Sequence, residues 1–244
     1  VLSKIKIDNM REQHQEILIN EEEKKSIQEF KRYGIVAVAM GSGISRIFKD
    51  IGTDEIIEGG QTMNPSTEDI LNSIDKIKAE NIIILPNNSN IIMAANQAKS
   101  LSQKNIIVIP TKSIPQGISA LMALDQEKSP DDNIKKMTKA IEEVKTGLIT
   151  YAIRDSNFDG VDIEEGNYLG ITDGHISAVG EEIDEVIKKV LDDMVDEDSS
   201  LITVYYGSEV KEEEALRLED NIKDIYTECD IETHFGGQPL YYYI

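Results

Sequence analysis

From Gly34 onward the chain alternates two hydrophobic periods, and their order predicts the architecture. Gly34–Met40 (GIVAVAM), Asn81–Leu85 (NIIIL) and Asn105–Ile109 (NIIVI) are near-continuous apolar runs of strand length. Such runs suit parallel strands buried on both faces. Between them lie amphipathic stretches with helical spacing at Ile44–Ile51, Glu68–Ala79 and Ile91–Leu101, plus a short apolar step at Glu55–Glu58. Strand and helix alternating at this pace predict right-handed βαβ units around a parallel sheet.

After residue 128 the grammar changes. Ser129–Thr146 reads as a capped helix, with Pro130 in its first turn and Gly147 ending it. Leu148–Asp155 reads as a strand, and Asn167–Thr172 with His175–Gly180 as a hairpin across Asp173-Gly174. Glu181–Asp193 and Lys211–Tyr226 read as acidic amphipathic helices. Ser200–Tyr205, Asp230–Phe235 and Gln238–Tyr243 read as strands. The expected fold class is therefore α/β: a parallel-sheet first domain over residues 30–128, then a smaller mixed α+β domain over 129–244. Residues 1–29 are polar and rich in Glu, Lys and Gln, so they read as a linker or the tail of a preceding domain. A first residue of valine fits a piece of a longer chain.

Composition narrows the partners. The chain of 244 residues carries 46 acidic and 25 basic side chains, a formal net charge of −21. A surface this negative repels phosphate backbones and anionic headgroups, so nucleic acid and membrane surfaces are poor partners. An apolar share of 40% is too high for a disordered acidic tail. The excess is concentrated: residues 181–230 hold 18 Asp or Glu against five Lys or Arg. The single cysteine, Cys229, excludes a disulfide framework and any multi-cysteine metal site. Its acidic neighbours Glu228, Asp230 and Glu232 disfavour a reactive thiolate. No apolar run reaches membrane-spanning length and no signal peptide is visible, so a cytoplasmic location without membrane insertion is expected.

Ligands of open parallel sheets bind outside the carboxyl ends of the strands. Here those ends are four polar loops: Gly41-Ser42-Gly43, Gly59–Thr67 (GGQTMNPST), Pro86–Asn90 (PNNSN) and Thr111–Ser113. The binding candidates are Gly41, Ser42, Gly43, Gln61, Thr62, Asn64, Ser66, Asn87, Asn88, Ser89, Asn90, Thr111 and Lys112, able to meet an anion at helix starts. The same residue types also make helix caps and turns, and Thr67 and Ser89 are placed as caps. Gly41-Ser42-Gly43 opens like a dinucleotide loop, but Arg46 stands where the third glycine belongs. No phosphate-loop motif exists. His14, His175 and His234 share no metal spacing, and no catalytic or metal constellation stands out. Near the end, Gly236-Gly237-Gln238 repeats the Gly-Gly-Gln of residues 59–61 and runs into Tyr241–Tyr243. Gly237, Gln238 and Tyr241 join the candidates as a contact surface, because tyrosine is favoured at interfaces.

The stretches GIVAVAMGSGISRIFKDIGTDEIIEGGQTMNPSTEDI, IIILPNNSNIIMAANQA and GGQPLYYYI resemble the C-terminal region of the bacterial DAK-type kinase family, FakA, the ATP-binding subunit of fatty acid kinase. The opening LSKIKIDNMREQH resembles the tail of that family's middle domain. The resemblance implies a DegV-like fold here. It also implies a separate N-terminal kinase domain that holds ATP and magnesium through clustered aspartates, so no cofactor is expected in this stretch. It implies a partner as well: a DegV-like fatty-acid-carrier protein that presents its carboxylate for phosphorylation, and a homodimer of the parent chain is a further expectation. DegV proteins grip the carboxylate with a Ser/Thr and histidine set. The loop Gly59–Thr67 has no histidine, which leaves Thr62, Ser66 and Asn88 as the nearest polar residues by type. Two functions stand: a non-catalytic regulatory and docking region for the carrier, or a sensor of a lipid or anion at loops 41–43, 59–67, 86–90 and 111–113.

Overall fold

The computed structural model describes residues 30–60, 63–158 and 161–244. The linker expected at 1–29, with His14, lies outside them, as do Gln61 and Thr62. Four parallel strands form the first sheet: β1 (Lys31–Ala39), β2 (Glu55–Glu58), β3 (Ala79–Leu85) and β4 (Asn105–Val108). Their spatial order is β2-β1-β3-β4. The chain thus leaves β1 in one direction and β3 in the other, and this reversal opens a crevice at the carboxyl ends of β1 and β3.

Alternation along each strand divides the core. Tyr33, Ile35, Ala37 and Ala39 of β1 face one side, where Ile44 and Phe48 of α1 (Ser42–Asp50) cover them. Val36 and Val38 face the other, against Ile70 and Ile74 of α2 (Thr67–Lys76) and Ile91, Ala95 and Ala98 of α3 (Ser89–Leu101). A helix not foreseen from the sequence, α4 (Ile114–Met122), brings Ala120 and Leu121 to the first of these cores. Met137 and Ile141 of α5 (Pro130–Glu142) join the same core, so packing with the first sheet continues past residue 128.

The caps also differ from expectation. Ser66, not Thr67, caps α2: its Oγ accepts the Asp69 N–H at 3.1 Å while the Asp69 carboxylate accepts the Ser66 N–H at 2.9 Å. Asn88, not Ser89, caps α3 by accepting the Asn90 N–H at 2.9 Å. In both places the residue one step earlier has the extended backbone that a cap needs.

The second lobe holds β5 (Gly147–Tyr151), a short hairpin β6 (Ser156–Phe158) and β7 (Val161–Ile163), then β8 (Tyr168–Thr172) and β9 (His175–Gly180). These are followed by α6 (Ile183–Met194), β10 (Leu201–Tyr206), α7 (Glu212–Ile225) and β11 (Asp230–Phe235). Strands β5, β8 and β9 pair antiparallel, whereas β10 and β11 pair in parallel. The expected strand Gln238–Tyr243 does not form. Gly237 and Leu240 take positive φ values of 67° and 70°, and this turning backbone leaves only Tyr243 to bridge Ile149 of β5 and Tyr206 of β10.

That single residue joins the two strand groups. Ile149 N–H donates to Tyr243 O at 2.9 Å, Gly207 N–H to Tyr242 O at 2.8 Å, and Tyr205 and Ile244 exchange bonds of 2.8 and 3.0 Å. Tyr243 sits in the core under α6 and α7, while Ile244 packs against the first core, so the segment locks both lobes. Across the seam, Ile44 N–H donates to Gly236 O at 3.0 Å. A Cβ on Gly43 would fall 1.8 Å from Phe235 O, and one on Gly41 would fall 2.5 Å from Gly236 O. Only glycine permits this contact.

Packing at the seam and backbone strain away from it predict different costs. Gly43→Ala is expected to cost more than ~3 kcal/mol in chemical denaturation, because backbone must move. Gly52→Ala, which meets nothing within 4 Å but has a φ of +106°, should cost ~1–2 kcal/mol. Burial lifts the phenols of Tyr205 and Tyr243 from the usual 10 to about 12. A raised phenol holds its proton more tightly when folded, so stability is full below pH 10 and falls as pH rises from 10 to about 12. Tyr205→Phe should make that alkaline decline shallower in pH-dependent melting.

Candidate functional site at the sheet switch point

A cleft of about 80 Å³ opens where the crevice between β1 and β3 meets the C-terminal segment. Met40 follows β1, Gly59 and Gly60 follow β2, Pro86 to Asn88 follow β3, and Lys112 to Ile114 lead into α4. Leu148 of β5 and the run Gln238–Tyr241 close it from the second lobe. Apart from Val38 and Leu148, each wall is a carboxyl-end loop or its continuation into α4, or part of the locking segment.

Asn87 holds the floor. It is buried in the left-handed region (φ 56°), which asparagine tolerates better than most residues. Its Nδ2 donates to Val38 O at 2.8 Å, its Oδ1 accepts from Thr111 Oγ1 at 2.8 Å, and its own N–H donates to Thr111 Oγ1 at 3.0 Å. These bonds tie the ends of β1, β3 and β4 together, and Asn87 fills the space left by Gly117, whose Cβ would meet Oδ1 at 2.1 Å. Ser113 caps α4 by accepting from Gln116 N–H at 3.3 Å and shares a 2.7 Å bond with Thr146 Oγ1. Gln238 is buried with Nε2 donating to Tyr205 O at 2.8 Å; among the described residues its Oε1 has no hydrogen-bond partner and lies against Gly236. Burial raises the Tyr241 phenol above its ordinary range. Lys112 is exposed at the mouth, and its ammonium makes no ion pair among the described residues.

The expected site residues divide accordingly. Asn87, Asn88, Lys112, Gln238 and Tyr241 line the cleft. Thr111 lies beneath it, fully buried. Gly41, Gly43 and Gly237 are spent in the seam, where their lack of bulk serves lobe contact rather than a ligand, and Ser42 stands exposed beside them. Ser89 and Asn90 sit exposed on the first turn of α3. Asn64 lines a separate, shallow groove with Ile57, Glu58, Asp69 and Lys76, while Ser66 is used as a cap. Ser113, in the expected loop 111–113, also lines the cleft, whereas Met40, Ile114, Leu148 and Leu240 were missed. Ser113-x-x-Gln116 is a capping-box spacing that would have revealed α4 and with it Ile114. Among the described residues no group of three His, Cys, Asp or Glu is placed to hold a metal ion.

A four-stranded parallel sheet joined by its C-terminal segment to a mixed sheet defines the DegV-like class of α/β fold. Solved structures agree. The chain matches the DegV family protein Cg2579 of Corynebacterium glutamicum with a TM-score of 0.61 at 11% identity, covering 86% of this chain and 91% of that one. It matches the Streptococcus pneumoniae fatty acid kinase (Fak) B3 protein, solved loaded with linoleic acid, with a TM-score of 0.55 at 12% identity, covering 84% and 92%. At such identities the likeness is one of fold.

The chain belongs to the FakA-like C-terminal family of fatty acid kinase, whose model matches residues 34–244. It is 47% identical to protein YloV of Bacillus subtilis (strain 168) over 247 residues, covering all of this chain and 44% of that protein. An uncharacterized protein of Staphylococcus aureus (strain USA300) is 42% identical over 243 residues, with 99% and 44% covered. The chain thus spans less than half the length of these curated relatives. No helix among the described residues is long and apolar enough to cross a membrane.

Removing the Asn87 carboxamide tests the floor of the cleft. Asn87→Ala is expected to cost ~3 kcal/mol, from strained backbone and orphaned partners at Val38 and Thr111. Asn87→Gly relieves the positive φ and should recover ~1 kcal/mol of that. Equal losses in urea melts would show that the backbone conformation contributes nothing.

Proposed function

We propose that residues 30–244 are the non-catalytic docking region of a fatty acid kinase chain, and that they engage a DegV-like protein carrying the fatty acid. The acyl group is phosphorylated by a kinase domain elsewhere in the parent protein, where ATP and magnesium bind. Family membership supports the first part. The observation that carries the docking role is the size of the cleft. At about 80 Å³ it falls well short of the ~300 Å³ at which small-molecule pockets begin, and an acyl chain does not fit. The neighbouring groove is larger, at about 440 Å³, but it is open to solvent and lined by Glu58, Asn64, Asp69 and Lys76, so an acyl chain would gain little apolar burial there.

Electrostatics support the same reading. On α6 and α7, Asp184, Glu185, Asp193, Glu212, Glu213, Asp220 and Asp224 form no ion pair among the described residues, whereas Asp192 and Glu219 are matched to Lys188 and Lys223. Both matched carboxyls are held below the usual carboxylate range, chiefly by hydrogen bonds from those lysines. The remaining acids generate a field that steers a basic partner.

Deleting residues 30–244 from the full-length protein is expected to weaken carrier binding by ~100-fold or more and to lower fatty acid phosphorylation in step, with ATP binding retained. Charge reversal on α7 should slow association and flatten its salt dependence. Undiminished complex formation by the deletion variant, measured by calorimetry, would sink the proposal.

A further inference from the structure

We infer that the switch-point cleft is the anchor hole of the docking surface: it receives one aliphatic side chain from a loop of the carrier, and Lys112 at its mouth pairs with a carboxylate beside that side chain. This rests on the docking function proposed above and assigns it a contact point.

Size sets the first limit. An apolar cavity of ~150 Å³ holds a benzene ring. The cleft, at about 80 Å³, has room for the end of a leucine, isoleucine or methionine but not for a ring. Chemistry sets the second. Its walls are largely apolar, from Val38, Met40, Pro86, Leu148, Leu240 and Ile244. Much of the polar lining is engaged: both ends of the Asn87 carboxamide, the Asn88 Oδ1 on Asn90, the Gln238 Nε2 on Tyr205, and the Lys112 N–H on Gln116 Oε1, while the Gln238 Oε1 has no partner among the described residues. A small polar ligand would compete with bonds that hold the floor, whereas an aliphatic group leaves them in place.

The rim completes the pattern. Leu240, 40% exposed, and the half-buried Met40 form part of the wall. Exposed apolar side chains around a hole exclude water from an inserted anchor, and methionine adapts to the surface it meets. In a chain of net charge −21, a lysine without an ion pair among the described residues at that mouth favours a carboxylate on an otherwise basic partner. Long-range steering by the acidic helices and short-range selection by Lys112 are then separate tasks.

Two variants in the full-length protein test this. Gly60→Val plugs the hole without strain, because a Cβ there meets only Met40 side-chain atoms at 3.6 and 3.7 Å. Calorimetry with the carrier should show ~10-fold or greater weakening for Gly60→Val and ~5-fold for Lys112→Glu, at unchanged melting temperature. A benzoylphenylalanine photo-crosslinker in place of Leu240 should label a carrier aliphatic residue next to an Asp or Glu. The crosslink and Lys112→Glu decide the matter should Gly60→Val lower the melting temperature. Full carrier affinity in Gly60→Val overturns the anchor while leaving the docking role intact. Binding of oleate or inorganic phosphate to the parent protein, lost in Gly60→Val, overturns it in favour of a small-ligand site. No carrier binding by the unaltered protein overturns both readings.

Discussion

The structure depends on nine residues, Gly236 to Ile244, that belong to neither lobe alone. Their backbone completes the second sheet at Tyr243, bonds to β10 through Tyr205 and Gly207, and packs against the start of α1. Two sets of strands with opposite pairing logic, one antiparallel and one parallel, are joined among the described residues by this stitch. The contact with α1 brings Gly41 and Gly43 against the backbone of Phe235 to Gln238, which is why both positions are glycine; Gly236 and Gly237 instead make room for the Gln238 and Phe235 side chains.

This arrangement shapes the cleft. In an open doubly wound sheet the crevice at the switch point is where ligands enter. Here the locking segment runs across that crevice, and Gln238, Leu240 and Tyr241 occupy much of what would otherwise be ligand space. The Gly-rich loop after β1, which in a dinucleotide-binding protein would face phosphate, faces the segment's carbonyls instead. Holding the lobes together and holding a large ligand thus compete for the same surface, and the first has prevailed. What remains is a hole of side-chain size.

The sequence made the first lobe legible because burial on both faces writes itself as unbroken apolar runs. GIVAVAM, NIIIL and NIIVI marked β1, β3 and β4 to within a few residues, and the DegV-like class followed. Helix α4 escaped because Pro115 and Gly117 in its first turns resemble loop residues, although proline is tolerated at a helix start and Gly117 is required by the Asn87 carboxamide. The last segment was misread for a physical reason: Tyr241–Tyr243 has strand composition, but Pro239 and the positive φ at Leu240 limit it to the two bridges of one residue, Tyr243. The four-loop crest was placed correctly at the carboxyl edge. Its residue types could not say which loops would face a cleft and which would be consumed in lobe contact, since Gly41 and Gly60 look alike in sequence and differ only in what the second lobe brings against them.

The charge can be understood on the same terms. Acidic residues are concentrated on α6 and α7, which cover the second lobe's core with Val186, Val190, Leu218 and Ile222 and turn their polar faces outward. Intrahelical pairs such as Lys188–Asp192 and Lys223–Glu219 are exposed and contribute little to stability. Self-repulsion among the remaining carboxylates is a cost to the fold, offset in part where Asp184, Glu185, Glu212, Glu213 and Glu214 sit in the first turns of their helices. The cleft has the opposite character: largely apolar walls, and a cation rather than an anion at the mouth. A partner that gains from both must be basic at long range and locally acidic around one aliphatic side chain. That combination is far more restrictive than either feature alone, which is how a small contact can be selective without a large buried area.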